Sequence, residues 1–271
     1  MIRPLYPGGK AKACNFSYDD GVKEDIRLVA LLNQYGLKAT FNLNSVLMQQ
    51  QFQWVHPCGL VVQRLTTQEV SGLYDGHEVA SHTCTHPYMD HFSREQMLWE
   101  LGQDRANLQQ LFGHSIAGYA TPFHFYNDTL AQCVQEAGFS YGRISETDPS
   151  YSPWRDRYRW KPGIFHLDDG LESYVEGFLR TQEPLALCQI VGHSYDLEAE
   201  DRWAQMEVLF RRLGQQENVW HCTHLQLITY LQALQQLRCE DGQLENPSGQ
   251  TLWLNVMEQT IALSPGETIT L

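Results

Sequence analysis

The strongest constraint on the fold is a repeating order of short apolar runs and amphipathic segments. Residues 11–18 alternate apolar and small side chains and run into Asp19-Asp20-Gly21, the pattern of a strand and its loop. Residues 23–35 place Ile26, Val29, Ala30 and Leu32 on one helical stripe, and Gly36 stops it. The same unit recurs. Strands are expected at 37–43, 76–81, 115–120, 139–144, 185–191 and 218–222, and helices at 67–73, 93–112, 128–137, 171–180, 201–213 and 225–238. Ser93 and Gln96 form a capping box that opens the longest helix. Residues 145–165, rich in Pro, Trp, Tyr and Arg, read as a long loop. About seven strand–helix units fit before residue 240, which implies an α/β chain with a parallel sheet or barrel and right-handed crossovers. Beyond that point the texture changes. A polar turn at 241–249 is followed by alternating runs at 252–256, 260–263 and 268–271. The expected organisation is a barrel over 1–240 and a small C-terminal β appendage over 241–271, packed on the barrel.

Charge and cysteine usage limit the partners. The 19 Lys and Arg against 32 Asp and Glu give a formal charge of −13. That balance argues against nucleic acid, whose phosphates are bound by clustered cations, and against an anionic membrane surface. Apolar stretches fall far short of the roughly 18–20 residues of a spanning helix, and the first residues lack the apolar stretch of a secretory signal. The 7 cysteines are odd in number and contain no C-x-x-C pair, which reads as free thiols of a reducing compartment. A cytoplasmic location is the expectation.

The chemistry gathers at strand ends, where barrel enzymes carry their active sites. Asp19 and Asp20 follow an apolar strand, and two adjacent carboxylates resist burial unless a cation or a shared proton relieves them. His82-Thr83-Cys84-Thr85-His86 sets two imidazoles four residues apart, a spacing that lets both meet one metal ion. Tyr119-Ala120-Thr121-Pro122-Phe123 ends another strand. His193, in Val191-Gly192-His193, comes immediately after a buried run and is placed for general-acid work near neutrality. Read singly, each has a bland alternative: a solvated turn, two surface histidines, a structural histidine.

In this order the four segments resemble the polysaccharide deacetylases, carbohydrate esterase family four. Ser17-Tyr18-Asp19-Asp20-Gly21 matches the family's T-F-D-D-G, and His82-Thr83-Cys84-Thr85-His86 matches H-[ST]-x-x-H without gaps. Pro122 and Phe123 match the end of R-x-P-[YF], and Val191-Gly192-His193 matches L-x-H with Val for Leu. The resemblance covers about residues 11 to 240 and implies a distorted (β/α)7 barrel and a metal-dependent hydrolase of an acetylated carbohydrate. It implies Asp20, His82 and His86 as ligands of zinc or another divalent transition metal. It further implies Asp19 as base, His193 as acid, and Phe123 beside Pro122 as the backbone oxyanion donor.

One departure matters. The family's third-motif Arg falls on Ala120, which cannot hold the base carboxylate. Arg143, at the end of the next strand, is expected to point to the same rim and grip Asp19 through two parallel hydrogen bonds. Two alternatives remain open at this point: a catalytically silent carbohydrate-binding protein, and a linear amidase of the same barrel superfamily. Asp168-Asp169-Gly170 and His221-Cys222-Thr223-His224 echo the motifs, but read as a helix-capping turn and a strand–helix junction; His166 could still reach the site. The aromatics Tyr126, Tyr151, Trp154, Tyr158 and Trp160 could stack on sugar rings or serve as core.

Overall fold

The central strand is dictated by burial on both faces. All eight residues of Lys12–Asp19 are buried, as in the middle of a parallel sheet. Its one buried lysine is satisfied by a helix end, with Lys12 Nζ donating to the carbonyls of Phe178 at 2.8 Å and Leu179 at 2.7 Å. The computed structural model describes residues 2–153 and 156–271, so Trp154 lies outside the described residues.

The elements run β1 Ile2–Leu5, β2 Lys12–Asp19, α1 Asp25–Gln34, β3 Ala39–Leu43, α2 Ser45–Gln49, β4 Gln53–Val55, β5 Val61–Gln63, β6 Glu78–Ser81, α3 Arg94–Phe112 and β7 Gly118–Ala120. Then follow α4 Asp128–Glu136, β8 Tyr141–Arg143, β9 Ile164–Phe165, α5 Leu171–Arg180, β10 Ala186–Gly192, α6 Ser194–Ala199, α7 Trp203–Gly214, β11 Val219–His221 and α8 His224–Leu234. The chain ends with β12 Arg238–Glu240, β13 Gln243–Glu245, β14 Leu252–Val256, β15 Gln259–Leu263 and β16 Thr268–Thr270.

The main sheet is parallel, in the order β8-β7-β6-β3-β2-β10-β9, with β11 also paired to β2. It curls into a half-barrel whose helices cover the outside, the parallel α/β architecture expected from the alternation and the distorted (β/α)7 class that the resemblance implies. One edge of β2 pairs with β10 along its length. The other edge is divided, β11 lying beside Lys12–Cys14 and β3 beside Phe16–Asp19. Phe16, Phe41, Leu28, Leu32 and Phe210 fill the main core between sheet and helices.

Several local expectations are corrected. Residues 67–73 form successive turns, because Glu69 folds back onto the N–H and hydroxyl of Thr66, both at 2.9 Å, in a tight capped turn that does not propagate. A hairpin of β4 and β5 stands where no strand was expected. The loop over 145–165 contains β9. The β appendage recruits the other end of the chain, since β1 pairs antiparallel with β14, which in turn pairs with β15.

Candidate active site

The C-terminal ends of β2, β3, β6, β7, β8, β9 and β10 share one rim, and every motif residue except the decoys sits on it. Asp19 is the last residue of β2. Asp20 follows with φ 89, a left-handed conformation unusual for a residue with a side chain, and Gly21 continues it at φ 64. This reversal turns consecutive carboxylates to different tasks. Asp20 faces the 82–86 loop, with Oδ1 3.5 Å from His86 Nε2 and 3.9 Å from His82 Nε2. One ligand atom from each of Asp20, His82 and His86 lies within 4.8 Å of the others.

The two histidines have the orientation and protonation that metal ligands need. His82 Nδ1 is 2.9 Å from the Ala120 carbonyl, so it carries the proton and leaves Nε2 free toward Asp20. Burial pushes the pKa of His82 down, and that of His86 down to about 4, so both rings are neutral near pH 7. The loop is fastened from α3. Ser81 Oγ donates to Asp104 at 2.6 Å, and Thr85 Oγ1 donates to Glu100 at 2.7 Å. From β3's end, Asn44 Nδ2 donates to the carbonyls of His82 and Thr83. Asp20 Oδ1 is buried and receives no well-directed hydrogen bond, although Arg64 Nη1 lies 2.9 Å away. Two free imidazole nitrogens and an undersatisfied carboxylate oxygen are a donor set that fits a divalent transition metal with an open position.

Asp19 points elsewhere. Arg143 Nη2 donates to both of its oxygens, and Asn42 Nδ2 donates to Oδ1 at 2.7 Å. Burial alone would raise the Asp19 pKa; the Arg143 guanidinium first, with the fields of His82 and His193, outweighs this and holds it below the ordinary carboxylate value. A guanidinium nitrogen thus reaches Asp19 despite Ala120, but one nitrogen serves both oxygens in place of the two parallel hydrogen bonds expected. Across the rim His193 Nδ1 is 2.9 Å from Asp196 Oδ2. Burial opposes its charge, but the hydrogen bond to Asp196 and the fields of Asp20 and Asp19 bring its pKa up to about 9. His166 Nε2 reaches the same Asp196 oxygen at 3.5 Å. Gly192 is required by that ring, since a Cβ at 192 would stand 2.3 Å from His166 Cδ2.

Phe123 adopts φ 53 just after Pro122, with its ring stacked on Tyr88 at 3.6 Å between centroids and 4.5 Å from His86. The opposite wall is Tyr195, stacked on His193 at 5.0 Å and edge-on to Trp54 at 5.3 Å. These are the rim aromatics. Four of the loop aromatics raised from the sequence have other contacts: Trp160 is buried against His224, Tyr151 bonds the Tyr174 carbonyl, Tyr158 bonds the Phe139 carbonyl, and Tyr126 lies under Arg159. The decoys are structural. Asp168 receives the Gly170 N–H in a turn before α5, and Thr223 caps α8 while His224 stacks on Tyr141 near the N-terminal ends of the strands. Sequence reasoning missed Asp196, Arg64, Asn42 and Asn44. Only Asp196 left a local signal, three residues past His193.

A parallel half-barrel with an Asp-His-His cluster at its strand ends has the architecture of a metal-site hydrolase. The sequence profile of the polysaccharide deacetylases matches residues 7–142, and the chain belongs to that family. A putative polysaccharide deacetylase from Mycobacterium smegmatis superposes with a TM-score of 0.60 at 14% identity, over 86% of this chain and 94% of that one. A family 4 carbohydrate esterase from Streptomyces lividans, solved with acetate, gives 0.51 at 18% identity, over 78% of this chain and 92% of that one. A family 4 pseudoenzyme from Bacillus anthracis gives 0.50 at 15% identity, over 83% and 68%. These likenesses show the fold. None of the curated proteins matches the sequence. Among the described residues, no helix is long and apolar enough to cross a membrane.

Proposed function

We propose that the chain is a metal-dependent deacetylase acting on an N- or O-acetylated carbohydrate. The observation that carries this reading is the convergence, on one rim, of a three-ligand cluster, a carboxylate clamped ionised beside it, and a histidine poised protonated across from it. Asp20, His82 and His86 would hold zinc or another divalent ion. Bound there, such an ion acidifies a water and polarises the acetyl carbonyl. Asp19, one residue from a ligand and kept ionised by Arg143, takes the proton from the attacking water. The Phe123 amide, turned by its left-handed backbone, donates to the developing oxyanion. His193 donates its proton to the leaving nitrogen or oxygen, and Asp196 steadies the resulting change of charge.

The silent-binder alternative rests on the missing third-motif Arg, and the contact of Arg143 with Asp19 supports the enzyme reading against it. All seven cysteines are unpaired and five are buried, which supports a reducing, cytoplasmic setting and a soluble oligosaccharide or sugar conjugate as substrate. The test is acetate release from a panel of N-acetylated and O-acetylated oligosaccharides by the zinc-loaded protein, with and without a chelator. Release that the chelator stops and zinc restores is expected. A metal-loaded protein that releases acetate from none of them and still binds a sugar would establish the silent binder instead. Cleavage confined to non-sugar amides would establish the linear amidase.

A further inference from the structure

Arg64 lies outside every motif, yet it is 4% exposed and faces the Asp-His-His cluster. Its backbone cannot drift. Its N–H donates to the Phe52 carbonyl at 2.9 Å, and Leu65 N donates to the Gly21 carbonyl at 2.8 Å, so residues 64–65 are tied to both the β4–β5 hairpin and the turn after β2. The guanidinium lies over the Trp54 ring at 5.1 Å. Nη1 donates to the Asp20 carbonyl and, at 2.7 Å, to Asn44 Oδ1, and it stands 2.9 Å from Asp20 Oδ1. That last oxygen is the one shared with His82 and His86.

We infer that Arg64 is a positioning residue that supplies the positive charge at Asp20 in the metal-free protein, and that it thereby weakens the site's hold on a divalent ion. The inference rests on the proposed metal site. A buried guanidinium attracts the Asp20 carboxylate whether or not an ion is present, but it repels an ion seated on that carboxylate. It therefore stabilises the metal-free state more than the loaded one, and linkage turns that difference into weaker binding. The hydrogen bonds of Ser81 to Asp104 and of Thr85 to Glu100 involve neither Arg64 nor Asn44, so the ligand loop keeps its ties to α3 when the guanidinium is removed. An ion bound there would be held by a carboxylate whose charge Arg64 partly draws off, and would be left more electrophilic.

The experiment measures zinc affinity by competition with a chromogenic chelator for the wild type, Arg64→Met and Arg64→Lys. Arg64→Met should bind zinc at least about tenfold more tightly, and Arg64→Lys, which keeps the charge, should stay near wild type. The metal-free Arg64→Met protein should melt lower than wild type and gain more from zinc. Equal or weaker affinity in Arg64→Met overturns the inference while leaving the proposed function standing. Should that variant fold only with zinc, paired wild-type crystal structures decide: zinc should lengthen the contact between Nη1 and Asp20 Oδ1 and spare those to the Asp20 carbonyl and Asn44. An unchanged contact overturns the inference. A wild type that takes up no divalent ion rejects the metal reading itself, and this inference with it.

Discussion

Replacing Arg143 with Met tests whether it keeps Asp19, the proposed base, ionised and oriented. The two side chains are 3% and 11% exposed, so the pair is screened little by solvent. Removing one partner of a buried pair costs about 3–5 kcal/mol, and Asn42, still bonded to Asp19, favours the lower end. Asn42 and the fields of His82 and His193 would then offset less of the burial penalty, and the Asp19 pKa would rise. The sign is definite. In the wild type the folded value lies below the ordinary 3.8, so the base is ionised at all neutral pH values, and the stability it contributes is lost only as pH falls through that depressed value. In Arg143→Met the acid limb of turnover should move upward by about two pH units, since each unit is about 1.4 kcal/mol. At the pH optimum the loss of orientation should cost at least about tenfold in rate, about 1.4 kcal/mol of barrier. Among the described residues Arg143 makes no hydrogen bond to Asp20, His82 or His86, so metal content should be unchanged. The assay is acetate release between pH 4 and 9 (a range chosen to cover both limbs, about 5 pH units) with metal measured on the same samples. A variant with full metal, wild-type rate and an unmoved acid limb would refute the reasoning.

Other perturbations separate the remaining roles. Changing His82 and His86 together to Ala should empty the metal site, read by metal analysis of the purified protein. Asp19→Asn should keep the metal and lose turnover, because an amide cannot accept the water's proton, whereas Asp20→Ala should lose both. His193→Ala should slow an amide substrate more than an activated ester, whose leaving group needs little protonation. In Asp196→Asn the pKa of about 9 that His193 owes largely to its partner should fall, moving the basic limb of turnover down, since the acid works only while protonated. Gly192→Ala should lower the melting temperature through an overpacking cost of about 1–3 kcal/mol, because the His166 ring already occupies the space.

What the sequence discloses follows from how local the signal is. The capping box of Ser93 and Gln96 is read within four residues, and it is present in the structure with both of its hydrogen bonds. The long helices and the buried β2 and β10 carry period and hydrophobicity enough to be placed within a few residues. Even the three-residue strands β7, β8 and β11 fall inside the apolar runs at 115–120, 139–144 and 218–222. The β4–β5 hairpin does not, because it is held by Arg64 and Trp54 contacts that no local pattern announces. Among site residues, Asp19, Asp20, His82, His86 and His193 stand in contiguous motifs. Asn42, Asn44 and Arg64 act through backbone carbonyls and a single shared oxygen, which makes them look like ordinary polar residues at strand ends. The Ala120 carbonyl, which orients His82, leaves no trace in side-chain identity at all.

The third motif shows how such a rim keeps a cation on Asp19 when the motif position has none. Ala120 on β7 and Arg143 on β8 are direct partners in the parallel register. Partnered residues on neighbouring parallel strands point to the same face of the sheet and stand about 5 Å apart. Moving the guanidinium from one to the other therefore costs a single strand spacing, well within the reach of an arginine side chain, and leaves its charge on the same rim. The carboxylate it serves is two strands beyond β6 in the same sheet, fixed by the wholly buried β2, so the geometry that matters is the register between strands and not the spacing along the chain. A contiguous motif scores Ala120 as a lost function; the sheet presents the same cation from the next strand. The same reasoning predicts that the exchange cannot be undone piecemeal. Ala120→Arg alone would bring a second guanidinium toward one carboxylate in a buried rim, so it should lower stability, whereas Ala120→Arg combined with Arg143→Ala should recover turnover above Arg143→Ala alone. A double variant no more active than Arg143→Ala would show that register does not make the two positions equivalent.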